Sequence, residues 1–368
     1  MNTLAFGYIL PTTGRIPDFH RLETCAAGRT ETKAAQECGL IPKDLRYLVI
    51  PETIQEFLRR NPGEELPEII SAKTHSVIPA SYLSGSKKSI ITRSAGYDHI
   101  ETLADLANIT SLRNYCVNSV AQTTMKFVYA TAGLLNHYTL NAVTFERNMT
   151  SSFMELTSDR IATVFGVGKI GQRIYELLKA NGLTAQAVDI RENELRDLYG
   201  DSVKFVSKEE AIKNSDIIIN AMNLTRIPDS IFYNENYFSE EVLRQGKKGL
   251  IFINITRGEI APEAGLLHLY QEGIIGGIGL DVFTAENDFS QSLRNQKTTS
   301  DENLLAARRL LEMAEDRTAN IYVQPHQAFN SDLAAAAKAS DTVKHMIEWF
   351  KCGKTGFDEQ LPYYGKAG

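Results

Sequence analysis

The amino-acid sequence predicts an α/β protein built on parallel sheets, and three observations carry that expectation. Short apolar, β-branched runs such as Ile161–Phe165, Asp216–Asn220 and Leu250–Asn254 recur along the chain. Between them lie segments whose apolar residues fall at helical spacing, and this alternation is the mark of βαβ units. One run, ending at Phe165, passes directly into a glycine-rich turn that opens a helix. Continuous apolar runs of this length suit strands buried on both faces.

That turn is the most informative stretch. Gly166, Gly168 and Gly171 stand at G-x-G-x-x-G spacing, and Ile170, Ile174, Leu177 and Leu178 then recur at helical spacing. Gly166 permits a tight bend, Gly168 lets the backbone approach a pyrophosphate, and Gly171 lets helix and strand pack closely. The helix N-terminus adds free N–H groups and partial positive charge. A glycine-rich turn with no ligand would show the same three glycines. The context favours a dinucleotide: a second strand, Thr184–Val188, ends at Asp189, 18 residues beyond Gly171, where an acidic side chain holds ribose hydroxyls. Asp189 repels a 2′-phosphate, so NAD is expected over NADP, with Arg191 the one nearby feature that pulls the other way.

Composition narrows the class. At 368 residues the chain is long enough for two ordinary domains. Hydrophobic content of 43% and charged content of 23% are those of a soluble globular protein. A formal charge of −6 gives no footprint for nucleic acid or an anionic membrane. No run approaches the ~18 apolar residues of a membrane span. Cys25, Cys38, Cys116 and Cys352 are scattered, which suits reduced thiols in the cytoplasm. The N-terminal Met1–Pro11 lacks a basic leader and reads as a first strand.

In chain order, Tyr47–Ile50, Glu68–Ala72 and Ser89–Thr92 read as strands, and Thr53–Arg60 as a helix stopped by Asn61-Pro62-Gly63. A helical pattern runs from Val120 to about His137. After Asp189 come a helix over Glu209–Asn214, the strands Asp216–Asn220 and Leu250–Asn254, a helix over Glu263–Gln271 and a strand over Gly277–Asp281. Residues 288–320 are polar with one amphipathic helix around Leu304–Met313. The strand Ile321–Val323 and a helix over Leu333–Phe350, carrying Trp349 as a packing residue, complete the chain.

Three residues follow the carboxyl ends of successive strands, the edge where ligands of open α/β sheets bind. They are Arg257 in Asn254-Ile-Thr-Arg-Gly258, Glu286 in Asp281-Val-Phe-Thr-Ala-Glu286, and His326 in Gln324-Pro-His-Gln-Ala-Phe329. Each alone reads as a loop residue. Together they set a cation, a carboxylate and an imidazole along one edge. A guanidinium fork binds a carboxylate bidentately, and an imidazole can exchange a proton near neutrality.

These motifs resemble the D-isomer-specific 2-hydroxyacid dehydrogenases. The match lies in Gly166–Gly171 with Asp189, Asn254–Gly258, Gly279-Leu-Asp-Val-Phe283 with Glu286, and Pro325-His326; upstream, Ser94–Ile100 resembles the family's substrate loop and Asn118–Gln122 its hinge. The resemblance covers roughly residues 88–290 and 321–350. It implies two doubly wound parallel-sheet domains, a Rossmann NAD domain over 121–325 inserted into a flavodoxin-like substrate domain formed by 1–120 and 326–368. It gives Arg257 the substrate carboxylate, helped by backbone N–H groups near Ala95, Gly96 and Tyr97. His326 becomes the acid–base residue and Glu286 its partner. Lys169, Ile170, Met222, Asn223, Ile255, Thr256 and Asp281 join Gly166, Gly168, Gly171 and Asp189 in holding NAD. A small 2-keto or 2-hydroxy acid as substrate and a homodimer are implied in the same way.

The sequence departs from the family at Gln122, where a glutamate is usual, at Ala221-Met-Asn223 in place of His-x-Pro, and at Pro262 in place of an acid. The first 85 residues match poorly, and 287–320 is long. Gln327-Ala-Phe329 leans toward the lactate-type branch. A second reading stays open: a dinucleotide-sensing interaction protein, since some corepressors share this scaffold. A metal-dependent hydrolase does not fit, because the seven histidines show no ligand spacing.

Overall fold

Strands β1 (Asn2–Phe6), β2 (Arg46–Ile50), β3 (Ile69–Ala72), β4 (Ser89–Thr92) and β5 (Asn108–Ser111) pair in parallel in the order β2-β1-β3-β4-β5. That is the flavodoxin-like order of a doubly wound sheet. The computed structural model describes residues 2–6, 19–50, 52–145, 152–295 and 299–364. They divide into two units, Met1–Cys116 with Asn330–Gly368, and Val117–Phe329. The divisions fall four residues from those expected at 120 and 325, so His326 sits in the second unit, on the loop that leaves its last strand.

In the first unit alternate residues along β3, β4 and β5 serve opposite faces. Ile70, Ile90 and Ile109 pack with Ile54 of the helix Ile54–Arg60, while Ile69, Ile91 and Leu112 pack with Val343, Met346 and Trp349 of the helix Ala334–Lys351. The first of these helices starts where the sequence signals it. Thr53 and Glu56 form a reciprocal capping box, which satisfies two otherwise orphaned backbone donors. Trp349 is fully packed, its indole N–H donating to Ser89 Oγ at 2.8 Å. Of the strand expected over Met1–Pro11, Asn2–Phe6 is present, and residues 7–11 lie outside the described residues.

The second unit holds six parallel strands, β6 (Ile161–Phe165), β7 (Thr184–Val188), β8 (Ile217–Asn220), β9 (Leu250–Asn254), β10 (Ile275–Leu280) and β11 (Ile321–Val323). Their order is β11-β10-β9-β8-β6-β7, and a single parallel bridge from Ala187 to Phe205 extends the sheet past β7. The chain winds outward from β6 through β7, then returns to β8 on the other side of β6. The crevice at that reversal is where a doubly wound sheet takes its ligand. Its core joins Phe165, Phe238 and Phe252, stacked edge to face at 4.9 and 5.2 Å, to the helices that flank the sheet.

Two local expectations are corrected, and one helix is added. The helix from Val120 to His137 is two helices, Val117–Ala132 and Leu135–Thr144, because Leu134 adopts a left-handed conformation at φ 48°. Residues 288–320 carry not one helix but most of a second, Glu286–Asn295, which buries only Phe289 and Ser292 and so shows little apolar periodicity. A helix over Phe19–Glu37 was not anticipated.

Candidate active site

Every strand of the second unit from β6 to β11 delivers a candidate residue at its carboxyl end. Gly166 follows β6 with φ +85°, and a Cβ there would stand 2.8 Å from the Met222 Cα. A Cβ on Gly171 would overlap the Gly166 carbonyl, whereas one on Gly168 would meet nothing within 4 Å. The outer glycines are therefore required by packing, and the middle one leaves the turn open on the side a phosphate would approach. Lys169 and Ile170 are the first residues of the helix Lys169–Ala180 that Gly168 caps.

Asp189 braces this turn. One carboxylate oxygen accepts from the Val167 N–H at 2.8 Å and the other from the Arg191 N–H at 2.9 Å. Each oxygen keeps acceptor capacity for a ribose hydroxyl. The Arg191 guanidinium pairs with Glu194 at 2.9 Å, which weakens the case for a 2′-phosphate. Glycine turn, brace and helix N-terminus thus fit a dinucleotide.

Polar residues fully buried at the ends of β8, β9 and β10 set the next loops. Asn220 and Asn254 face each other in register and share a side-chain hydrogen bond at 3.0 Å. Asn220 also donates to Thr256 Oγ1 at 2.8 Å and accepts from the Met222 N–H at 3.1 Å. Asn254 donates to the Arg257 carbonyl at 2.8 Å. The two amides therefore fix both the Met222–Asn223 loop and the Ile255–Arg257 loop. Ile255 is buried, Thr256 and Arg257 are half-buried, and the guanidinium donates to the Thr256 carbonyl at 2.7 Å.

Asp281 does the same for His326. Its Oδ1 accepts from the Gln324 side chain at 2.7 Å and from the N–H groups of Gln327 and Ala328 at 2.8 and 3.0 Å, and its carbonyl accepts from the His326 N–H at 2.6 Å. Burial pushes this carboxyl up, and these donors oppose the shift. His326 itself sits at φ 51°, a left-handed conformation that costs free energy for a non-glycine residue and is held by its surroundings. The imidazole Nδ1 lies 2.8 Å from Glu286 Oε2. A carboxylate only accepts, so Nδ1 carries the proton and Nε2 is the nitrogen left for chemistry.

Sequence reasoning missed the supports of Glu286. Gly258 packs so closely on Phe283 and Thr284 that a Cβ would overlap their backbone. Glu263, 1% exposed, accepts from the Thr284 N–H at 2.7 Å, two residues before Glu286. Its burial is the only signal, and it needs the fold to be seen. Desolvation pushes the Glu263 carboxyl up to about 7, partly opposed by Thr284. A raised carboxyl pKa stabilises the fold fully below its ordinary value, and that contribution is lost as pH rises through about 7. The loss is on the order of 3 kcal/mol. Glu263→Gln should therefore keep its urea midpoint between pH 5 and 9 better than the parent does. An identical pH dependence in both would place the fall elsewhere.

Ala95, Gly96 and Tyr97 lie in the first unit, on the loop after β4. Ser94 Oγ bonds the Gly96 carbonyl at 2.7 Å and Thr92 Oγ1 at 3.0 Å, which sets the turn. Tyr97 packs on Tyr363 at 5.3 Å between ring centroids.

The family profile described as D-isomer specific 2-hydroxyacid dehydrogenase, NAD binding domain, matches residues 133–328. A D-specific alpha-keto acid dehydrogenase of Enterococcus faecium is 26% identical over 312 residues, spanning 83% of this chain and 90% of that protein. A D-lactate dehydrogenase of Streptococcus pyogenes is 25% identical over 252 residues, or 67% of this chain and 70% of its own. Among solved structures, D-lactate dehydrogenase from Aquifex aeolicus, complexed with NAD and lactic acid, superposes with a TM-score of 0.71 at 24% identity, covering 97% of this chain and 98% of that one.

Proposed function

The chain belongs to the D-isomer-specific 2-hydroxyacid dehydrogenase family, and from that premise we propose that it interconverts a 2-keto acid and the D-2-hydroxy acid with NAD as its cofactor. The observation that carries the reading is the His326–Glu286 pair at 2.8 Å, held on the same strand edge as the glycine turn and Arg257. When bound, the nicotinamide supplies or accepts the hydride. Arg257 holds the substrate carboxylate, with the N–H groups near Ala95, Gly96 and Tyr97 assisting. His326 Nε2 gives a proton to the carbonyl oxygen as that oxygen gains charge, and removes it in the reverse direction. Glu286 fixes the ring and the proton on Nδ1. Asp281 fixes the His326 loop and lies on the nicotinamide side, and Met222, Asn223, Ile255 and Thr256 line the cofactor edge.

The competing reading, a dinucleotide sensor without chemistry, gives no reason for a glutamate to hold the imidazole of a histidine whose backbone is left-handed. Following NADH and NADPH absorbance with a panel of 2-keto acids separates the two. Oxidation of NADH by at least one acid supports the dehydrogenase, and binding without turnover across the panel would leave the sensor.

The same premise suggests a homodimer through the cofactor unit. The helix Leu135–Thr144 exposes Leu135, Tyr138, Leu140 and Val143, with Val143 at 83%, and Phe153 lies against Tyr138. These exposed apolar side chains, carried on one helix, support a contact surface there. Val143→Asp should shift the mass measured by light scattering from dimer to monomer; a parent that is already monomeric would refute the dimer. Among the described residues no helix is long and apolar enough to cross a membrane, and we propose a cytoplasmic site of action, which cell fractionation checks.

A further inference from the structure

Three successive backbone N–H groups ahead of the helix Glu286–Asn295 each meet a carboxylate, and two of the three carboxylates come from the segment that follows Arg257. Phe283 donates to Glu286 Oε1 at 3.3 Å, Thr284 to Glu263 Oε1 at 2.7 Å, and Ala285 to Glu259 Oε1 at 3.4 Å. Ala285 stands at φ 48°, a conformation that a non-glycine residue holds only under constraint. The turn ends in Glu286, whose other oxygen meets His326 Nδ1. The place of that oxygen is therefore set by whatever holds the turn.

Distance and burial decide which of the three matters most. Glu259 and Glu286 are half-buried and their bonds to the turn are long, and Glu259 is also engaged by Arg226 at 2.6 Å. Glu263 is 1% exposed and makes the short bond. Water can stand in at an exposed bond and much less readily at this one, where losing the acceptor strands the Thr284 N–H. Gly258, next to Arg257, is pressed against the backbone of Phe283 and Thr284. The Glu263 carboxyl thus closes an anchor between the loop after β9 and the turn after β10.

A role in stability alone does not account for this residue. Glu263 opens the helix Glu263–Gln271, and an acid in a first turn favours the helix dipole from a solvated position. Here the carboxyl is buried at a cost. Neither its Oε2 nor the Thr284 hydroxyl has a well-formed hydrogen bond, although the hydroxyl acts on the carboxyl. An apolar side chain of similar size would fill the space without that cost. What it would lack is the acceptor for Thr284.

We propose that Glu263 is a positioning residue for the proton transfer: by anchoring the Thr284 N–H it fixes Glu286, and through Glu286 the His326 imidazole. This inference rests on the dehydrogenase reading above. The test uses the full-length protein, NADH and the 2-keto acid reduced fastest among pyruvate, 2-oxopentanoate, 2-oxoglutarate and 3-phosphohydroxypyruvate. Glu263→Met, which fills the space without an acceptor, should lower kcat by about 10- to 100-fold. KM should change less than about threefold, because Asn254 holds the Arg257 loop independently. Glu263→Gln, whose amide oxygen accepts from Thr284 as before, should stay within about threefold of the parent. In a Glu286→Ala background Glu263→Met should cost little more, since the residue it positions has gone. Should Glu263→Met not fold, Glu259→Ala reads the same coupling from the half-buried side of the turn, with a loss of kcat that also vanishes in Glu286→Ala. An undiminished kcat, a glutamine variant as slow as the methionine one, or an equal loss with and without Glu286 overturns the positioning role and leaves the dehydrogenase standing. No oxidation of NADH by any acid of the panel overturns both.

Discussion

His326→Gln should lower turnover of a 2-keto acid by about 10²–10⁴-fold, the usual worth of a positioned acid–base group, while NADH affinity measured by fluorescence titration changes little. Glutamine keeps much of the side-chain length and can still meet Glu286, but it has no proton to exchange at the atom facing the substrate. The contacts proposed for the cofactor lie elsewhere, on the glycine turn and Asp189, which accepts from the Val167 N–H at 2.8 Å. Glu286→Gln should cost less, because it weakens the hold on Nδ1 without removing Nε2. Turnover unchanged in His326→Gln would take the proton-transfer role away from this residue, whatever the fold.

The parts of this arrangement that were legible in the sequence are those encoded locally. Ile161–Phe165 running into Gly166–Gly171 announces strand, turn and helix in consecutive residues, and β9 and the helix Glu263–Gln271 have the bounds their patterns gave. What the sequence hid depends on neighbours far along the chain. Asn220 and Asn254 each end an apolar run and read as strand stops; only the pairing of β8 with β9 makes them a buried amide pair that fixes two loops. Asp281, expected at the cofactor, also has its oxygens bound by the backbone around His326, a contact that only the fold brings about. The helix Glu286–Asn295 starts at the glutamate that meets His326, yet its composition is that of a solvated loop. Glu263 shows the same limit, since a glutamate at the start of a helix is ordinary until the fold buries it.

Arg257→Lys is the sharper test of substrate recognition, because it keeps the charge and removes the fork. A guanidinium offers a carboxylate two parallel N–H donors in one plane, while an ammonium offers a point charge on a flexible stem. The loop reinforces this demand for geometry. Asn254 holds the Arg257 carbonyl at 2.8 Å, and Gly258 is pressed against Phe283 and Thr284, so the side chain leaves a backbone that cannot shift to bring a shorter group into place. Arg257→Ala should cost roughly 2–5 kcal/mol in transition-state binding, about 30- to 5,000-fold in kcat/KM, as when one partner of a hydrogen-bonded charge pair is truncated. Arg257→Lys should recover only part of that loss, with KM raised more than kcat is lowered. Full recovery by lysine would mean that charge alone binds the acid, and an alanine variant with unchanged KM and kcat would remove Arg257 from the site altogether.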